Sequence, residues 1–396
     1  MKNSQLKPKR KICFFTGSRA DYGLMNPLIS QLKKDPSIKT QLLVSGMHLS
    51  PEFGLTMKEI TANGKKIDRA VKMLSAANTE LGICHSIGNG VTRISDALQS
   101  LKPDILVILG DRFESLAAAI AAYVLHISVA HIHGGEITQG AMDDVFRHAI
   151  TKFSYLHFTS HPEYQQRVMQ LGESPERIFM VGAVGVENSK KTKFLSKDEL
   201  AQQLGITFRK HNLLVTFHPM TMEGQASQVY MKNILSVLGQ LKDTAIIFTK
   251  ANADAYGKVL NKMIDQFVSA KSHNAYCFAS LGQTLYLSLM PFMDAVLGNS
   301  SSGILEAPSF KIGTINIGDR QEGRIRAASV IDCQPTTAGI QKAFKQLYSP
   351  AFQSQLKRVT NPYYRPNTTQ NIVRVLKNFK LNQTLKKYFF DIPYVK

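Results

Sequence analysis

The sequence predicts an α/β fold of two Rossmann-like domains, each with a parallel sheet, separated by a cleft. Short apolar runs alternate with helix-length amphipathic segments, and the runs lack the polar–apolar alternation of half-exposed strands. A chain of 396 residues is also long for a single core. The polar stretch 187–197 lies between two such series, so we expect an N-terminal domain at 1–186 and a C-terminal domain at 187–396.

The strands and helices are expected to follow one another in both halves. In the first half the expected strands are 12–16, 41–45, 105–109, 128–132, 156–159 and 178–181, with helices that include 22–34, 81–101 and 141–152. In the second half the expected strands are 213–216, 245–249, 275–278, 295–297 and 314–317, with helices at 226–241, 255–270 and 301–310. A basic terminal helix is expected to pack back on the N-terminal domain.

The formal charge of +19 is compatible with nucleic acid, an anionic membrane surface or an anionic small molecule as partner. No acidic residue occurs from 342 to 390, but a solvated basic face explains that excess, and no nucleic-acid-binding signature accompanies it. No apolar run reaches the ~18 residues of a membrane helix. The N-terminus does not read as a signal peptide, and four scattered cysteines are typical of reduced thiols. We therefore expect a cytoplasmic protein with a small-molecule ligand and neither a nucleic-acid nor a membrane partner.

Ionisable side chains follow two consecutive strands of the first half. Asp111 follows the strand at 105–109, and the segment HIHGGE at 131–136 ends the next strand. Ligands of open α/β sheets bind beyond the carboxyl ends of the strands, which favours an active site here over scaffold. The alternative for Asp144 and Arg147 is a simple ion pair at i, i+3. His131 and His133 lack a complete ligand set, so no metal is expected. The candidate acid/base residues are Asp111, His133, Glu136, Asp143 and Asp144.

Anion-binding groups follow strands in both halves. A turn at 16–23 carries Arg19 after the first strand, although an ordinary strand–helix turn explains it equally well. His218 ends the first strand of the second half, and the Ser/Gly loop at 298–308 opens a helix in which Glu306 is placed to bind ribose. The segment 316–324 adds two arginines. Neither GxGxxG nor a Walker loop is present, so neither nicotinamide nor ATP is expected.

Over nearly its whole length the chain resembles the UDP-N-acetylglucosamine 2-epimerase family, specifically its hydrolysing branch. The resemblance is carried by GSRADYG (17–23), SGMH (45–48), LGDR (109–112), HIHGGE (131–136), DDVFRH (143–148), FHP (217–219), GNSSSG (298–303) and GDRQ (318–321). Many relatives have a glutamate where this chain has His133. Non-hydrolysing relatives have a lysine near Leu24 or Met25, which this chain lacks. The family has a GT-B-like fold and uses neither metal nor nicotinamide for its chemistry.

The resemblance implies a role for each matching residue. The UDP-binding residues would be Arg19, Arg112, His218, Asn252, Ser300, Ser301, Glu306 and Arg320. Asp111 and the Asp143/Asp144 pair would face the sugar. Asp21, His48 and Arg147 would bind or support it. No cofactor is implied, the partner is a UDP-sugar, and a homo-oligomer is expected.

The implied reaction converts UDP-N-acetylglucosamine and water to N-acetylmannosamine and UDP, through elimination to a glycal and addition of water. The His-Gly-Gly form of the loop favours this substrate, which leads to sialic acid. UDP-N,N'-diacetylbacillosamine, which leads to legionaminic acid, is the alternative substrate. Two functions of another class also fit the sequence, a UDP-sugar glycosyltransferase and a non-catalytic nucleotide-sugar sensor, although a sensor needs no acid/base groups opposite the phosphate site.

Overall fold

The computed structural model describes residues 9–76, 79–139, 141–191, 193–220, 226–251, 256–271, 273–381 and 385–393. Within these ranges the chain forms a seven-stranded and a six-stranded sheet. All the neighbouring strands are parallel. Successive residues of the first strand enter different cores, Phe14 on one face and Phe15 on the other, so helices cover both faces. The predicted fold class is confirmed.

The first sheet has the strand order β3-β2-β1-β4-β5-β6-β7. Its strands are β1 (Arg10–Thr16), β2 (Ile38–Ser45), β3 (Arg69–Val71), β4 (Ile105–Leu109), β5 (Ser128–Ile132), β6 (Leu156–Thr159) and β7 (Ile178–Met180). Its helices are α1 (Arg19–Lys33), α2 (Met57–Ala62), α3 (Glu80–Leu101), α4 (Phe113–Val124), α5 (Asp143–Phe153), α6 (Pro162–Gln170) and α7 (Val184–Lys191). The strand order reverses between β1 and β4, and such a switch point opens a crevice for ligand.

The second sheet has the order β10-β9-β8-β11-β12-β13. Its strands are β8 (His211–Thr216), β9 (Thr244–Thr249), β10 (Ala275–Phe278), β11 (Ala295–Gly298), β12 (Gly313–Ile317) and β13 (Val330–Cys333). Its helices are α8 (Lys197–Leu204), α9 (Ala226–Leu238), α10 (Gly257–Ala270), α11 (Gly282–Leu289), α12 (Ser301–Leu305), α13 (Thr337–Leu347), α14 (Pro350–Leu356) and α15 (Thr368–Asn378). The helix expected at 301–310 ends early, because Pro308 lacks the N–H that an α-helix needs.

Helix α15 returns to the first sheet's domain. Its Ile372 and Leu376 are buried in the core that covers one face of that sheet. The Arg10 guanidinium donates to the Leu376 carbonyl at 2.8 Å, and the Lys377 amine pairs with Asp35 at 2.6 Å. The polar stretch at 187–197 holds the end of α7 and the start of α8. The first domain is therefore completed by the C-terminal end of the chain.

Among the described residues, no helix combines the length and the apolar character that a membrane span requires. All four cysteines are free thiols.

Candidate active site

A cavity of about 340 Å³ lies between the carboxyl edges of the two sheets. The first domain contributes the loops after β1, β2, β4 and β5 and the start of α5. The second domain contributes the loops after β8, β9, β10, β11 and β12. Most of the predicted site residues line this cavity, namely Arg19, Asp21, Arg112, Asp111, His133, Glu136, Asp143, Arg147, His218, Ser300, Ser301, Glu306 and Arg320. Asn252 lies outside the described residues.

The turn after β1 is built by a capping box. Ser18 caps α1, and the Asp21 carboxylate accepts from the Ser18 N–H at 3.0 Å and from its hydroxyl at 2.7 Å. Burial raises the pKa of Asp21. Arg19, the next residue after the cap, pairs through Nε with Glu59 at 2.6 Å, and burial lowers its pKa. Asp21 thus holds the loop's shape, while Arg19 brings a guanidinium to the cavity wall.

Arg112 is held by Glu114, a residue that no sequence motif singled out. The Arg112 Nε and a terminal nitrogen contact the two carboxylate oxygens of Glu114 at 3.1 and 3.2 Å. Glu114 has no solvent exposure, and burial raises its pKa although Arg112 opposes that shift. A side chain at Gly17 would approach the Glu114 Cβ to 3.0 Å. The glycine after β1 therefore leaves the space that this buried pair occupies.

Asp111 and Asp143 are two of the first domain's carboxylates that line the cavity. Asp111 follows β4 and accepts from a terminal nitrogen of the buried Arg147. Arg147 is fixed in turn by the His133 carbonyl, to which it donates at 2.9 Å, and by the Thr138 hydroxyl at 3.3 Å. Asp143 is the first residue of α5 and lies on the same face as Arg147, four residues later. One arginine thus contacts Asp111 and shares a helix face with Asp143.

Asp144 points away from the cavity. One of its oxygens accepts from the Thr138 N–H at 2.5 Å, and the other lies 3.6 Å from His148 Nε2. It is absent from the cavity wall, unlike its neighbour. The i, i+3 ion pair between Asp144 and Arg147 is not formed, because Arg147 turns to Asp111. Of the acidic pair, Asp143 alone is placed to touch a ligand.

His133 and Glu136 form a buried cluster at the cavity floor. His133 takes a left-handed backbone conformation (φ 69°), and its Nδ1 lies 3.1 Å from a Glu136 oxygen. Its Nε2 accepts from the Val184 N–H at 3.4 Å. The other Glu136 oxygen lies 3.1 Å from Arg324. Burial alone would raise the pKa of Glu136, but Arg324, His133 and Arg147 hold it well below its usual range.

His131 and His48 are held away from the cavity. Both rings are fully buried and absent from its wall. His131 Nε2 contacts the Gly110 carbonyl at 2.7 Å, and burial lowers its pKa to about 3. His48 contacts the Thr16 and Thr56 hydroxyls at 2.9 and 2.8 Å, and burial lowers its pKa to about 4. Both histidines are neutral supports of the loops. No cluster of metal-ligating side chains occurs in the described part of the chain.

The second domain presents hydroxyls and arginines to the cavity. Ser300 caps the short helix α12, and Ser301 begins it. The Asn299 side chain ties this loop to His218, accepting from its N–H at 2.7 Å and donating to its carbonyl at 2.9 Å. Arg320 donates to the Asn299 carbonyl at 3.1 Å. Asn299, which was not among the predicted site residues, thus joins three of the predicted ligand-binding loops.

Glu306 is a buried acid at the end of α12. It is 8% exposed, and burial raises its pKa to about 7. A Cβ on Gly185, in α7, would clash with its Oε1, so the carboxyl packs directly against a backbone that joins the two domains. Such an acid carries a proton or a negative charge near neutral pH, according to what binds beside it.

Comparison with known proteins gives matches over nearly the whole chain. A family model described as UDP-N-acetylglucosamine 2-epimerase matches residues 30–377. The GDP/UDP-N,N'-diacetylbacillosamine 2-epimerase (hydrolyzing) of Campylobacter jejuni is 41% identical, over 97% of this chain and 100% of that protein. Polysialic acid biosynthesis protein P7 of Escherichia coli is 36% identical, over 97% and 98%. The structure of UDP-GlcNAc 2-epimerase from Neisseria meningitidis bound to UDP-GlcNAc gives a TM-score of 0.77 at 20% identity, over 92% and 99%.

Proposed function

The chain belongs to the UDP-N-acetylglucosamine 2-epimerase family, and we propose that it is a hydrolysing 2-epimerase of a UDP-linked 2-acetamido sugar. One observation carries the proposal. Hydroxyls and arginines of the second domain face acid/base groups of the first domain across a single cavity. A sensor of nucleotide sugars does not need the acid/base groups of the first domain, and a glycosyltransferase needs an acceptor site in addition.

The opposed placement suits an elimination. The hydrogen on sugar carbon 2 is not acidic until the bond from carbon 1 to UDP begins to break. In an α-linked gluco sugar, that bond and the hydrogen on carbon 2 point to opposite faces of the ring. A base must therefore lie opposite UDP, and the two halves of the cavity meet this requirement. Loss of UDP and of the proton gives a glycal, and addition of water across it gives the free manno sugar.

Asp111 and Asp143 are our candidates for the proton transfers. Both face the cavity, and Arg147 holds one and shares a helix face with the other. Both ring nitrogens of His133 contact protein atoms, which favours a role in shaping this pair over direct proton transfer. Glu136 is enclosed by cations and is best suited to hold them in place. Asp144 then supports the loop through Thr138.

The departing UDP needs stabilisation of its growing negative charge. Hydroxyls of Ser300 and Ser301, with the guanidinium of Arg320, are grouped on one wall, and preorganised donors of this kind lower barriers for charge separation. Arg19 and Arg112 approach from the first domain. Each of these arginines has an acidic partner that orients it without filling the cavity. The buried Glu114, the partner of Arg112, is the clearest case. We assign Glu306 and His218 to the nucleotide side of the same wall.

Two sugars fit the chemistry. UDP-N-acetylglucosamine is the substrate that the loop sequence favours. UDP-N,N'-diacetylbacillosamine carries a methyl group at carbon 5 and an acetamido group at carbon 4 in place of the hydroxymethyl and hydroxyl groups. The 41% identity to the Campylobacter jejuni protein supports it. So does the first domain's wall, where Leu24, Met47 and Phe53 offer apolar contacts that a 6-deoxy sugar satisfies better.

A homo-oligomer is part of the proposal. Leu81, Val124 and Val145 on the first domain are each more than 60% exposed, at 64%, 68% and 68%. Helices α3, α4 and α5 carry these side chains and pack side by side. Association of copies through this face would cover them. Light scattering coupled to gel filtration measures the mass directly.

The test is incubation with each UDP-sugar in deuterated water, without added metal and with a chelator. We expect free UDP and a free manno-configured sugar that carries deuterium at carbon 2. A product without that label contradicts elimination, and activity abolished by the chelator contradicts a metal-free reaction. Transfer of the sugar to an added acceptor, with no free sugar, would favour the glycosyltransferase.

A further inference from the structure

A loop of the second domain touches the acid/base segment of the first. This loop, residues 318–329, joins β12 to β13, and we call it the 318–329 loop. Gly323 lies in the left-handed region (φ 79°), and a Cβ there would be 2.7 Å from the Ile137 Cγ2. The Gln139 N–H donates to the Glu322 carbonyl at 3.5 Å. The two backbones are therefore in direct contact, with no room for a side chain at Gly323.

Arg324 carries this contact into the buried cluster. Its side chain is buried, and its Nε donates to the Ile137 carbonyl at 3.0 Å. One terminal nitrogen lies 3.1 Å from the Glu136 carboxylate, and the other donates to the Thr138 hydroxyl at 3.3 Å. Arg147 donates to that same hydroxyl. One residue, Glu136, thus separates Arg324 from His133, and two residues, Thr138 and Arg147, separate it from Asp111.

The other end of the 318–329 loop belongs to the nucleotide side. Arg320 and Gln321 both donate to the Asn299 carbonyl, at 3.1 and 2.8 Å. Asn299 directly precedes Ser300, the cap of α12. A ligand that shifts or stiffens the Ser300 loop therefore acts on the 318–329 loop through two hydrogen bonds. From that loop, the side chain of Arg324 reaches Glu136 directly.

We propose that Arg324 is a positioning residue that couples occupancy of the UDP site to the geometry of the acid/base groups. The inference rests on the proposed function of the cavity. Arg324 acts through Glu136 and Thr138, which orient His133 and the Arg147–Asp111 pair. The coupling has a chemical purpose, because a base that is aligned only when UDP is bound is aligned only when a leaving group is present.

The first test is hydrogen exchange with UDP as the probe. In the wild type, UDP should slow exchange at 300–306 and also at 133–139, a segment to which we assign no contact with UDP. Arg324→Met should keep the protection at 300–306 and lose it at 133–139. Arg177→Met is the matched control, because Arg177 is a comparably buried arginine that lies by Glu173 and the Tyr155 ring. It should retain protection at both segments.

The second test separates turnover from binding. Arg324→Met should lower kcat by about 10²-fold, the cost of misplacing catalytic groups by about 1 Å, while UDP still binds and still protects 300–306. The double variant with Glu136→Gln should unfold at a higher temperature than Arg324→Met, since the buried carboxylate that has lost the Arg324 guanidinium is then a neutral amide, and should not recover kcat. Recovery of stability without activity distinguishes positioning from a structural role.

The outcomes separate this inference from the proposed function. UDP that fails to bind the wild type overturns both. UDP that binds without altering exchange at 133–139, or Arg324→Met that keeps normal turnover, overturns the coupling and leaves the epimerase proposal standing. Equal losses in Arg324→Met and Arg177→Met also overturn it, because the effect is then general destabilisation.

Discussion

Asp143 and Asp144 offer a matched pair of substitutions at the start of α5. The two carboxylates are adjacent in sequence, but only Asp143 lines the cavity. Asp144 accepts from the Thr138 N–H at 2.5 Å and approaches His148 at 3.6 Å. Replacing either by asparagine preserves size and an acceptor oxygen, and removes the charge and the ability to exchange a proton. The pair therefore tests whether the position of the carboxylate, and not its local charge, decides turnover.

The two substitutions are expected to affect different quantities: Asp143→Asn lowers the reaction rate, and Asp144→Asn lowers the stability. Asp143→Asn removes one acid/base group, which typically costs ~10²–10⁴ in rate, or roughly 3–5 kcal/mol in the barrier. Asp144→Asn leaves the Thr138 N–H with a neutral acceptor, so it weakens one hydrogen bond by about 1 kcal/mol. That loss lowers Tm by about 2–4 °C for a domain of this size and leaves kcat within about threefold.

The assay follows deuterium incorporation at sugar carbon 2 and UDP release in the same reaction, beside a thermal unfolding curve for each variant. Asp143→Asn should lose both signals while its Kd for UDP stays near the wild-type value. If Asp144→Asn loses turnover and Asp143→Asn keeps it, the orientation that we assign to the pair is wrong. Near-normal turnover in both removes this helix start from the reaction.

Three other predictions concern the opposite wall and the sugar. Ser301→Ala and Arg320→Ala should each lose roughly 1.5–3 kcal/mol of UDP binding, about tenfold or more in affinity; unchanged calorimetric titrations in both would refute the anion site. Glu306 has a pKa raised by burial from 4.5 to about 7, so its cost to folding grows between those pH values. Glu306→Gln should therefore stabilise the protein by about 3 kcal/mol more at pH 8 than at pH 4 in urea unfolding, and a pH-independent effect contradicts the shift. The kcat/KM for UDP-N,N'-diacetylbacillosamine should exceed that for UDP-N-acetylglucosamine by about tenfold or more, and the reverse ratio would assign UDP-N-acetylglucosamine, the sugar that the loop sequence favours.

The fold followed from patterns that act locally. Buried parallel strands read as continuous apolar runs, so 105–109 and 128–132 coincide with β4 (Ile105–Leu109) and β5 (Ser128–Ile132). Strand β3 (Arg69–Val71) was not predicted, because three residues with two exposed side chains form no apolar run. Motif residues at strand ends were predicted to meet, and most of them line one cavity, since parallel strands bring their carboxyl ends to a common edge.

The partners inside the site could not be read from the sequence. Glu114 looks like an ordinary acid in the first turn of a helix, yet it is fully buried against Arg112. Thr138 and Asn299 are loop residues whose importance lies in contacts with distant arginines. The side chains at 143 and 144 point in directions about 100° apart around the helix axis. Which of them faces the cavity depends on where the helix begins, and that start is known only from the structure. These distinctions depend on long-range packing. The glycines at 17 and 46, which leave room for Glu114, were the one local signal.

The positive C-terminal segment has a structural use that accounts for part of the charge excess. The Lys387 amine donates to the Lys152 and Ser154 carbonyls and to the buried Glu173, at 2.6, 2.8 and 2.8 Å. Burial alone would raise the pKa of Glu173, but His157, Lys387 and Lys152 lower it to about 2. The lysine thus compensates an acid inside the first domain, as Lys377 does for Asp35. Basic residues that are paired in this way are not available to bind nucleic acid. Arg19 and Arg320 instead line the cavity, where we propose that they bind the pyrophosphate of UDP.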